Sequence, residues 1–282
     1  MPKVFVIILN FRVKELALKC LESVKNSSYK ELEIILVDNG SDDGIEKDVK
    51  KFKDVDFIQT GKNLGYSGGN NVGIKKALES GADYVFILNP DTTIDKNCIE
   101  NLLDGMERNK ADIVGPKIYF SGSKKIWYAG GIFDKQNVIG KHRGVDEEDK
   151  GQYDSPVETD FVSGAAIMVR KEVFEKIGLF DEKYFLYYED SDFCEKAKRA
   201  GFKVFYIPDA VVYHENAASA GLGSPLQDYY ITRNRMLFAS KFLPLRTKIA
   251  VLREAFKNLR NPVRRLALWD FLTGNLGKGN LN

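Results

Sequence analysis

The protein has 282 residues and a formal net charge of only +2, and a chain of this length buries a substantial core without covalent cross-links. Its cysteines, Cys20, Cys98 and Cys194, are odd in number and far apart, which argues against a disulfide framework or a cysteine metal site and predicts reduced core thiols. The N-terminus does not resemble a signal peptide and no apolar run is long enough to span a bilayer, so we expect a cytoplasmic protein.

Strands and helices are predicted to alternate through the first part of the chain. Periodicity predicts strands at KVFVIILN, ELEIILVDNG, DVDFIQ, ADYVFILN and ADIVGPKIY. Helices are predicted between them at KELALKCLESVKNS, SGGNNVGIKKALESG and DKNCIENLLDGMERN. This alternation predicts an α/β fold with a mostly parallel, Rossmann-like central sheet flanked by helices.

Polar residues end three of the predicted strands. These residues are Asn10 on the first, Asp38 and Asn39 on the second, and Asn89 and Asp91 on a later one. Each alone is an ordinary turn former. Because ligands bind at the carboxyl edge of open α/β sheets, the three together predict a site at that edge.

The site is not predicted to be a dinucleotide site. The first strand-to-helix turn, ILNFRVKEL, has no glycine where G-x-G-x-x-G belongs, and the chain has no P-loop motif. A nicotinamide cofactor is therefore not expected and a P-loop is excluded, which leaves a nucleotide site that is built differently.

A second acidic motif opens a predicted helix within LYYEDSDFCEKAKRAG. An apolar stripe on this helix is expected to leave the acids of its first turn pointing toward open space. Acids there are also favoured by helix electrostatics, so catalytic and structural roles both stay open. The acids are Glu189, Asp190 and Asp192, and the stripe is Phe193, Cys194, Ala197 and Ala200.

An ordered set of motifs resembles the nucleotide-sugar glycosyltransferases of family 2, and more closely their rhamnosyltransferase-like branch. The matching segments are VIILNF, ILVDNGSDDG, NLGYSGGNNVGI, FILNPDT, the long segment from VSGAAIMV to VVYHE, and YYITRNRML, which cover most of residues 4–238. The resemblance implies a GT-A fold and inverting transfer of a sugar from a nucleoside diphosphate to an acceptor hydroxyl.

The resemblance also implies a divalent metal, Mn²⁺ or Mg²⁺, that neutralises the diphosphate leaving group. Asp91 is the implied ligand, and Asn89 stands where many relatives have the first acid of Asp-x-Asp. His214, at the end of DAVVYHE, is an implied ligand or a structural hydrogen-bonding residue. The alternative for NPDT is a proline turn in which Asp91 caps the next helix.

By the same resemblance, several residues are assigned to the nucleotide. Asp38 accepts a hydrogen bond from the pyrimidine and Asn63 lies against the base, while Gly68, Gly69 and Asn70 open a helix toward the phosphates or the sugar. A flexible helix start is the alternative for these three. The full set of predicted nucleotide-binding residues is Asn10, Asp38, Asn63, Gly69, Asn70, Asn89 and Arg233.

The resemblance further implies that Asp190 is the general base, which takes the proton of the acceptor hydroxyl. Arg233 and Asn234 in YYITRNRM are implied to reach the diphosphate, because a guanidinium matches phosphate geometry. A solvated helix face explains these two residues equally well from the sequence.

The C-terminal segment is basic. Residues 226–282 contain 11 Lys and Arg against 3 Asp and Glu, without a recognisable nucleic-acid-binding motif, so no nucleic-acid partner is expected. Pro262 is expected to divide two helices. Their apolar stripe either packs on the catalytic domain or lies on an anionic membrane that carries a lipid-linked acceptor. The stripe is Ile249, Leu252, Phe256, Leu259, Val263 and Leu266.

These inferences predict a GT-A catalytic domain at residues 1–225 and a basic helical extension at 226–282. The nucleotide-sugar half is expected at about 1–115 and the acceptor half at about 116–225. The predicted activity is transfer of a sugar such as rhamnose from a dTDP- or UDP-sugar to a glycan or lipid-linked acceptor, in the cytoplasm or on the cytoplasmic face of the membrane. The alternatives are a nucleotide-sugar-forming nucleotidyltransferase and a non-catalytic glycan-binding partner subunit.

Overall fold

The computed structural model describes residues 1–215 and 223–281. The first part alternates strands and helices as the periodicity predicts, in the order β1 (Val4–Asn10), α1 (Lys14–Lys25), β2 (Leu32–Asp38), α2 (Ile45–Val49), β3 (Val55–Gln59), α3 (Gly65–Glu79), β4 (Tyr84–Leu88), β5 (Thr92–Ile94) and α4 (Cys98–Asn109). The second part continues with β6 (Ile113–Phe120), β7 (Ile126–Tyr128), β8 (Gly131–Asp134), β9 (Ile139–His142), β10 (Val157–Glu158), β11 (Ala166–Arg170), α5 (Lys171–Ile177), α6 (Glu189–Arg199) and β12 (Val204–His214).

In the described part of the chain, one large sheet has the strand order β10-β12-β6-β11-β4-β1-β2-β3, with β5 added to β12 and β7 to β6. The four strands from β3 to β4 are parallel, as are β6 and β12. Strand β11 runs antiparallel between β4 and β6. The predicted α/β class is confirmed, and the parallel pairing predicted for the sheet is concentrated in the strands β1 to β4.

The sheet is buried on both faces because helices cover each one. All seven residues of β1 are buried, and its six apolar residues alternate between two core clusters. Val4, Val6 and Ile8 belong to the cluster that also includes residues of α1 and α4. Phe5, Ile7 and Leu9 belong to the cluster under α3, so the continuous apolar strand follows from two-sided burial.

The three cysteines lie in this core, as predicted. Cys20, Cys98 and Cys194 are free thiols with no exposed surface. Burial raises the pKa of Cys20 and Cys194 to about 12, so these thiols stay protonated at neutral pH.

Three helices complete the described fold: α7 (Pro225–Phe242), α8 (Leu245–Lys257) and α9 (Pro262–Thr273). Ser224 and Asn261 cap α7 and α9 through their side chains, and the predicted break at Pro262 is the start of α9. Within the described residues, no helix combines the length and the hydropathy that a bilayer span requires.

Candidate functional site

Two of the predicted metal ligands face each other at one edge of the sheet. Antiparallel pairing of β5 with β12 sets Thr92 opposite His214, and Asp91 immediately precedes Thr92. Oδ1 of Asp91 lies 3.4 Å from Nε2 of His214, and both residues are almost fully buried. The turn that ends β4 leads into β5, whereas α4 begins only at Cys98 with Asn97 at its N-cap position. The alternative role of Asp91 as a helix cap is therefore wrong.

The donor atoms of this pair fit a hard or borderline divalent cation. A carboxylate and an imidazole suit Mn²⁺, and Nδ1 of His214 has no hydrogen-bond partner among the described residues although it is buried. No group of three or more His, Cys, Asp or Glu side chains forms a metal cluster in the described ranges. The protein thus offers two side chains, and Asn89 adds no second carboxylate.

A tryptophan that the sequence analysis did not single out holds the His214 ring. The Trp127 and His214 rings stack with centroids 4.5 Å apart and planes at 27°. His142 packs against Trp127 with ring centroids 4.4 Å apart, and its Nδ1 donates to Trp127 O at 3.2 Å. The sequence gives no signal for this contact because Trp127 on β7 and His214 on β12 are far apart in the chain and meet through the pairing of both strands with β6.

Asp38 and Asn10 form one buried network at the ends of β2 and β1. Asn10 Nδ2 donates to Oδ1 of Asp38 at 3.1 Å and also to Ser41 and Asp43. Ser41 Oγ donates to the same oxygen of Asp38, while Gln59 Nε2 donates to the other at 2.5 Å. Both carboxylate oxygens therefore accept hydrogen bonds from protein donors. A pyrimidine N–H would have to share one of these oxygens, through a lone pair that the protein donors leave unused.

Asn39 connects this network to the start of α3. Its Nδ2 donates to Asn63 Oδ1 at 3.1 Å and to Gly65 O at 3.0 Å, and its Oδ1 accepts from the backbone N–H of Leu64. Asn63 Oδ1 also accepts from Gly65 N. The structure thus brings Asn63 close to the Asp38 turn.

Gly69 and Asn70 lie in a closely packed part of α3 rather than in a flexible helix start. A Cβ added at Gly69 would lie 2.5 Å from Leu9 Cδ1, so only glycine allows α3 to pack this closely on β1. Asn70 is fully buried, with Nδ2 bonded to Tyr66 O. Its Oδ1 has no hydrogen-bond partner within the described chain, which leaves one buried acceptor in this region.

The acids of α6 do not all point toward open space, and that expectation is wrong. Glu189 and Asp192 are buried, and Lys241 of α7 pairs with Asp192. Burial, together with the neighbouring Asp190 carboxylate, raises the pKa of Glu189 well above its usual value. Asp192 pairs with a residue of α7, which is distant in sequence, so the local apolar stripe alone does not predict its burial.

Asp190 is held by two backbone N–H groups. Its Oδ2 accepts from Gly164 N at 3.1 Å, and its Oδ1 accepts from Ser191 N at 2.6 Å. Burial raises the pKa of the Asp190 carboxyl, while these two N–H groups act in the opposite direction.

The segment Gly164–Ala165 connects Asp190 to the other parts of the site. Gly164 O accepts from the Tyr66 hydroxyl of α3 at 2.6 Å, and Ala165 O accepts from Asn89 N at 2.9 Å. Two adjacent residues therefore contact the start of α3, the end of β4 and the start of α6. Tyr66 was missed by the sequence analysis, although it lies within the motif NLGYSGGNN.

Arg233 is not at the strand edge with the other predicted nucleotide-binding residues. It is fully buried in α7, where its guanidinium lies over the rings of Tyr229 and Tyr230 and donates to Lys183 O at 3.3 Å. Asn234 is also fully buried. The alternative of a solvated helix face is therefore wrong, and the described contacts of Arg233 are with protein groups.

Comparison with known proteins identifies the family. The model of the family described as Glycosyl transferase family 2 matches residues 5–178. The low-salt glycan biosynthesis hexosyltransferase Agl10 of Haloferax volcanii is 30% identical, over 73% of this chain and 66% of its own length. The dTDP-rhamnosyl transferase RfbF of Shigella flexneri is 28% identical, over 74% of this chain and 71% of its own. The N-acetylglucosaminyl-diphospho-decaprenol L-rhamnosyltransferase of Mycobacterium tuberculosis is 29% identical, over 71% and 72%.

The fold comparison agrees with the sequence comparison. The mannosyltransferase PcManGT from Pyrobaculum calidifontis, solved with GDP-Man and Mn²⁺, superposes with a TM-score of 0.61 at 16% identity, over 99% of this chain and 76% of that one. The fold is thus the GT-A fold that the motif resemblance implies. The matched family model and the rhamnosyltransferase relatives together show that the chain belongs to glycosyl transferase family 2.

Proposed function

We propose that the protein is an inverting glycosyltransferase that moves a sugar, rhamnose being the first candidate, from a dTDP- or UDP-sugar to a hydroxyl of a growing glycan. The donor assignment is supported by the dTDP-rhamnosyl and rhamnosyl activities named for two relatives. It is also supported by the buried Asp38 carboxylate, which accepts hydrogen bonds and therefore suits the N–H of uracil or thymine.

Asp91 and His214 would hold a divalent cation, Mn²⁺ or Mg²⁺, which neutralises charge on the diphosphate when it is bound. Mn²⁺ is present in the solved mannosyltransferase that shares this fold. The two protein donors leave room for the diphosphate oxygens and water to complete the coordination.

Asp190 acts as general base in this proposal. It takes the proton of the acceptor hydroxyl while that oxygen forms a bond to the anomeric carbon, on the face opposite the leaving group. The bond between the anomeric carbon and the phosphate oxygen breaks, and the nucleoside diphosphate leaves with the electron pair. A single displacement of this kind inverts the anomeric configuration.

The convergence at Gly164–Ala165 is the observation that carries this proposal. These two residues contact Asp190 and Tyr66 on one side and Asn89 on the other. One short backbone segment therefore contacts the candidate base, the helix α3 that is assigned to the sugar donor, and the turn that carries the candidate metal ligand. A nucleotidyltransferase or a purely binding protein does not require a carboxylate held at this point.

The proposal is tested by measuring the release of nucleoside diphosphate from UDP- and dTDP-sugars, including dTDP-rhamnose, in the presence of Mn²⁺. Asp190→Asn should lower kcat by about 10²- to 10⁴-fold, because the proton then has no acceptor. Asp91→Ala should also abolish most turnover. Unchanged turnover in both variants would contradict the proposal, and glycan binding without turnover of any donor would support the non-catalytic alternative.

We further propose that α8 rests on an anionic membrane surface beside a lipid-linked acceptor. The sequence left open whether its apolar stripe packs inward. Ile249 and Phe256 of the stripe have 41% and 53% of their surface exposed, and the neighbouring Leu245 has 70%, whereas Leu252 packs against the core. The basic residues Arg246, Arg253 and Lys257 lie beside this stripe at helical spacing. The decaprenol-linked substrate in the name of the mycobacterial relative supports an acceptor of this kind.

A further inference from the structure

The segment that leads into α6 has an unusual backbone. Tyr187 and Tyr188 have φ values of 68° and 74°, so two consecutive residues with side chains adopt the left-handed conformation. Each costs about 1–2 kcal/mol because Cβ approaches the following carbonyl oxygen. Such a turn persists only where surrounding contacts hold it, and Asp190 follows it by two residues.

Asn234 of α7 supplies contacts of that kind. Its Nδ2 donates to Leu186 O and to Tyr187 O, both at 2.8 Å. Its Oδ1 accepts from Arg233 Nε at 3.1 Å, which fixes the orientation of the amide. Asn234 is fully buried, so water does not replace these bonds.

Other residues of α7 hold the same segment on either side of the turn. The ring of Tyr230 stacks on Phe185 with centroids 5.4 Å apart, and Arg233 Nη2 donates to Lys183 O. Lys241 pairs with Asp181 at 3.0 Å before the turn and with Asp192 after it. The buried polar residues of the YYITRN motif therefore act on the backbone before Asp190, and these contacts account for Arg233 as well.

We propose that Asn234 is a positioning residue for Asp190. Tyr188 is the N-cap residue of α6, and its carbonyl accepts the first helical hydrogen bond from Asp192 N at 2.8 Å. When the left-handed turn relaxes, the first turn of α6 rotates and the Asp190 carboxylate leaves Gly164 N. The inference rests on the proposed function, because it assigns a role in placing the base of that reaction.

The test compares Asn234→Ala with wild type in the release of nucleoside diphosphate from dTDP-rhamnose and water with Mn²⁺. We expect kcat to fall about 10- to 100-fold with KM for the donor unchanged, since a misplacement of about 1 Å has an effect of that size. Asn101→Ala is the matched control, because Asn101 Nδ2 also donates to a backbone carbonyl, Asp209 O at 2.6 Å, far from α6. This control should keep the wild-type kcat.

A second variant separates positioning from general loss of stability. Glycine adopts left-handed φ without steric cost, so Tyr187→Gly added to Asn234→Ala should recover part of kcat. A loss of kcat that follows only the folded fraction, without recovery in the double variant, would overturn the inference. Wild-type kcat in Asn234→Ala would do the same.

Amide hydrogen exchange gives a readout that does not depend on activity. The N–H groups of Ser191, Asp192 and Phe193 should exchange faster in Asn234→Ala than in wild type or in Asn101→Ala. Unchanged exchange there would overturn the inference. If wild type turned over no donor while exchange increased as expected, the proposed function would fail and the structural part of the inference would stand.

Discussion

Nε2 of His214 lies 3.4 Å from Oδ1 of Asp91, at a point where the end of β12 meets the turn between β4 and β5. The two residues reach each other because the end of β12 pairs with the three-residue strand β5. Stacking on Trp127 fixes the plane of the imidazole. The pair is therefore rigid before any ligand arrives, which reduces the ordering cost of binding.

Mn²⁺ should stabilise the protein in the presence of UDP, and Asp91→Asn should remove that effect. A ligand at about 100 times its Kd adds about 2.7 kcal/mol to the free energy of unfolding, and the isosteric amide removes the charge that holds the cation. Thermal unfolding with and without Mn²⁺ measures the shift. Asp56→Asn, at an exposed carboxylate on β3, is the control. An equal Mn²⁺ shift in wild type and Asp91→Asn would contradict the ligand assignment.

Trp127→Ala should weaken Mn²⁺ binding about tenfold, whereas Trp127→Phe should retain most of it. The indole holds the His214 ring by stacking, and residues that orient a metal ligand typically contribute 10- to 100-fold in affinity. Titration with Mn²⁺ followed by thermal unfolding distinguishes the two variants. Equal affinity in wild type and Trp127→Ala would show that His214 needs no support from the indole.

Gly65→Ala should lower the free energy of unfolding more than Gly81→Ala. Both glycines have positive φ, at 76° and 82°, so either alanine adds about 1 kcal/mol of strain. A Cβ at Gly65 also overlaps the backbone oxygen of Phe185, whereas one at Gly81 meets no atom of the described chain within 4 Å. Urea unfolding should therefore separate the two variants by about 1–3 kcal/mol.

Equal losses of stability in the two glycine variants would mean that Phe185 moves to accommodate a Cβ at Gly65 without a measurable cost. The contact joins the start of α3 to the segment before α6, since Tyr66 N also donates to Phe185 O at 2.7 Å. A large loss of stability in Gly65→Ala would instead show that this junction rigidly connects α3 to the segment before the candidate base Asp190.

Glu189→Gln should raise the free energy of unfolding at pH 8. Burial raises the pKa of Glu189 in the folded protein, so the folded state binds more protons than the unfolded state above pH ~4.3. Wild-type stability therefore falls as pH rises from that value through the folded-state pKa. The amide stays neutral and removes this loss.

Urea unfolding of wild type and Glu189→Gln at pH 5 and pH 8 measures the effect. The gain should be smaller at pH 5, where the folded wild type keeps the carboxyl protonated. Glu175→Gln, at an exposed position of α5, should change stability little at either pH. A loss of stability in Glu189→Gln at both values would show that the ionised form is the one the fold requires.

The residues at the carboxyl edge of the sheet are predicted well from the sequence, because the strand period and the turn formers that place them are local signals. Strand period and turn formers place Asn10, Asp38 and Asp91 at the ends of β1, β2 and just beyond β4, and parallel pairing of those strands brings their ends together. Burial of Glu189 and Arg233 is a different case. It depends on contacts between α7 and the chain around the start of α6, which are far apart in the sequence and which the apolar stripe and motifs of the two segments do not predict.

The orientation of α8 shows the same limit. Its apolar stripe is visible in the sequence, but the direction that the stripe faces depends on how α8 packs on α7. The helix buries Val251 and Ala255 instead, which turns Ile249 and Phe256 outward. Amphipathicity alone predicts a buried face, and it does not predict which of two neighbouring faces is buried.

Ile249→Glu and Phe256→Glu should reduce flotation of the protein with vesicles that contain phosphatidylglycerol. The two side chains supply exposed apolar surface, and the added carboxylates repel the anionic headgroups. Binding of wild type should also weaken as salt rises, because each basic residue near the surface contributes about 1 kcal/mol that salt screens. Point variants are preferable to truncation, since α9 packs on α7 and carries Asp270, which bonds to Tyr229.

Ile132→Glu is the matched control for flotation. Ile132 is 52% exposed on β8, so Ile132→Glu makes the same chemical change as Ile249→Glu at a position outside α8. Arg253→Gln and Lys257→Gln should lower binding to anionic vesicles while leaving the weak binding to neutral phosphatidylcholine vesicles unchanged. If Ile132→Glu and Phe256→Glu reduced flotation to the same extent, contact with the membrane would not be through α8, and the exposed stripe would need another occupant.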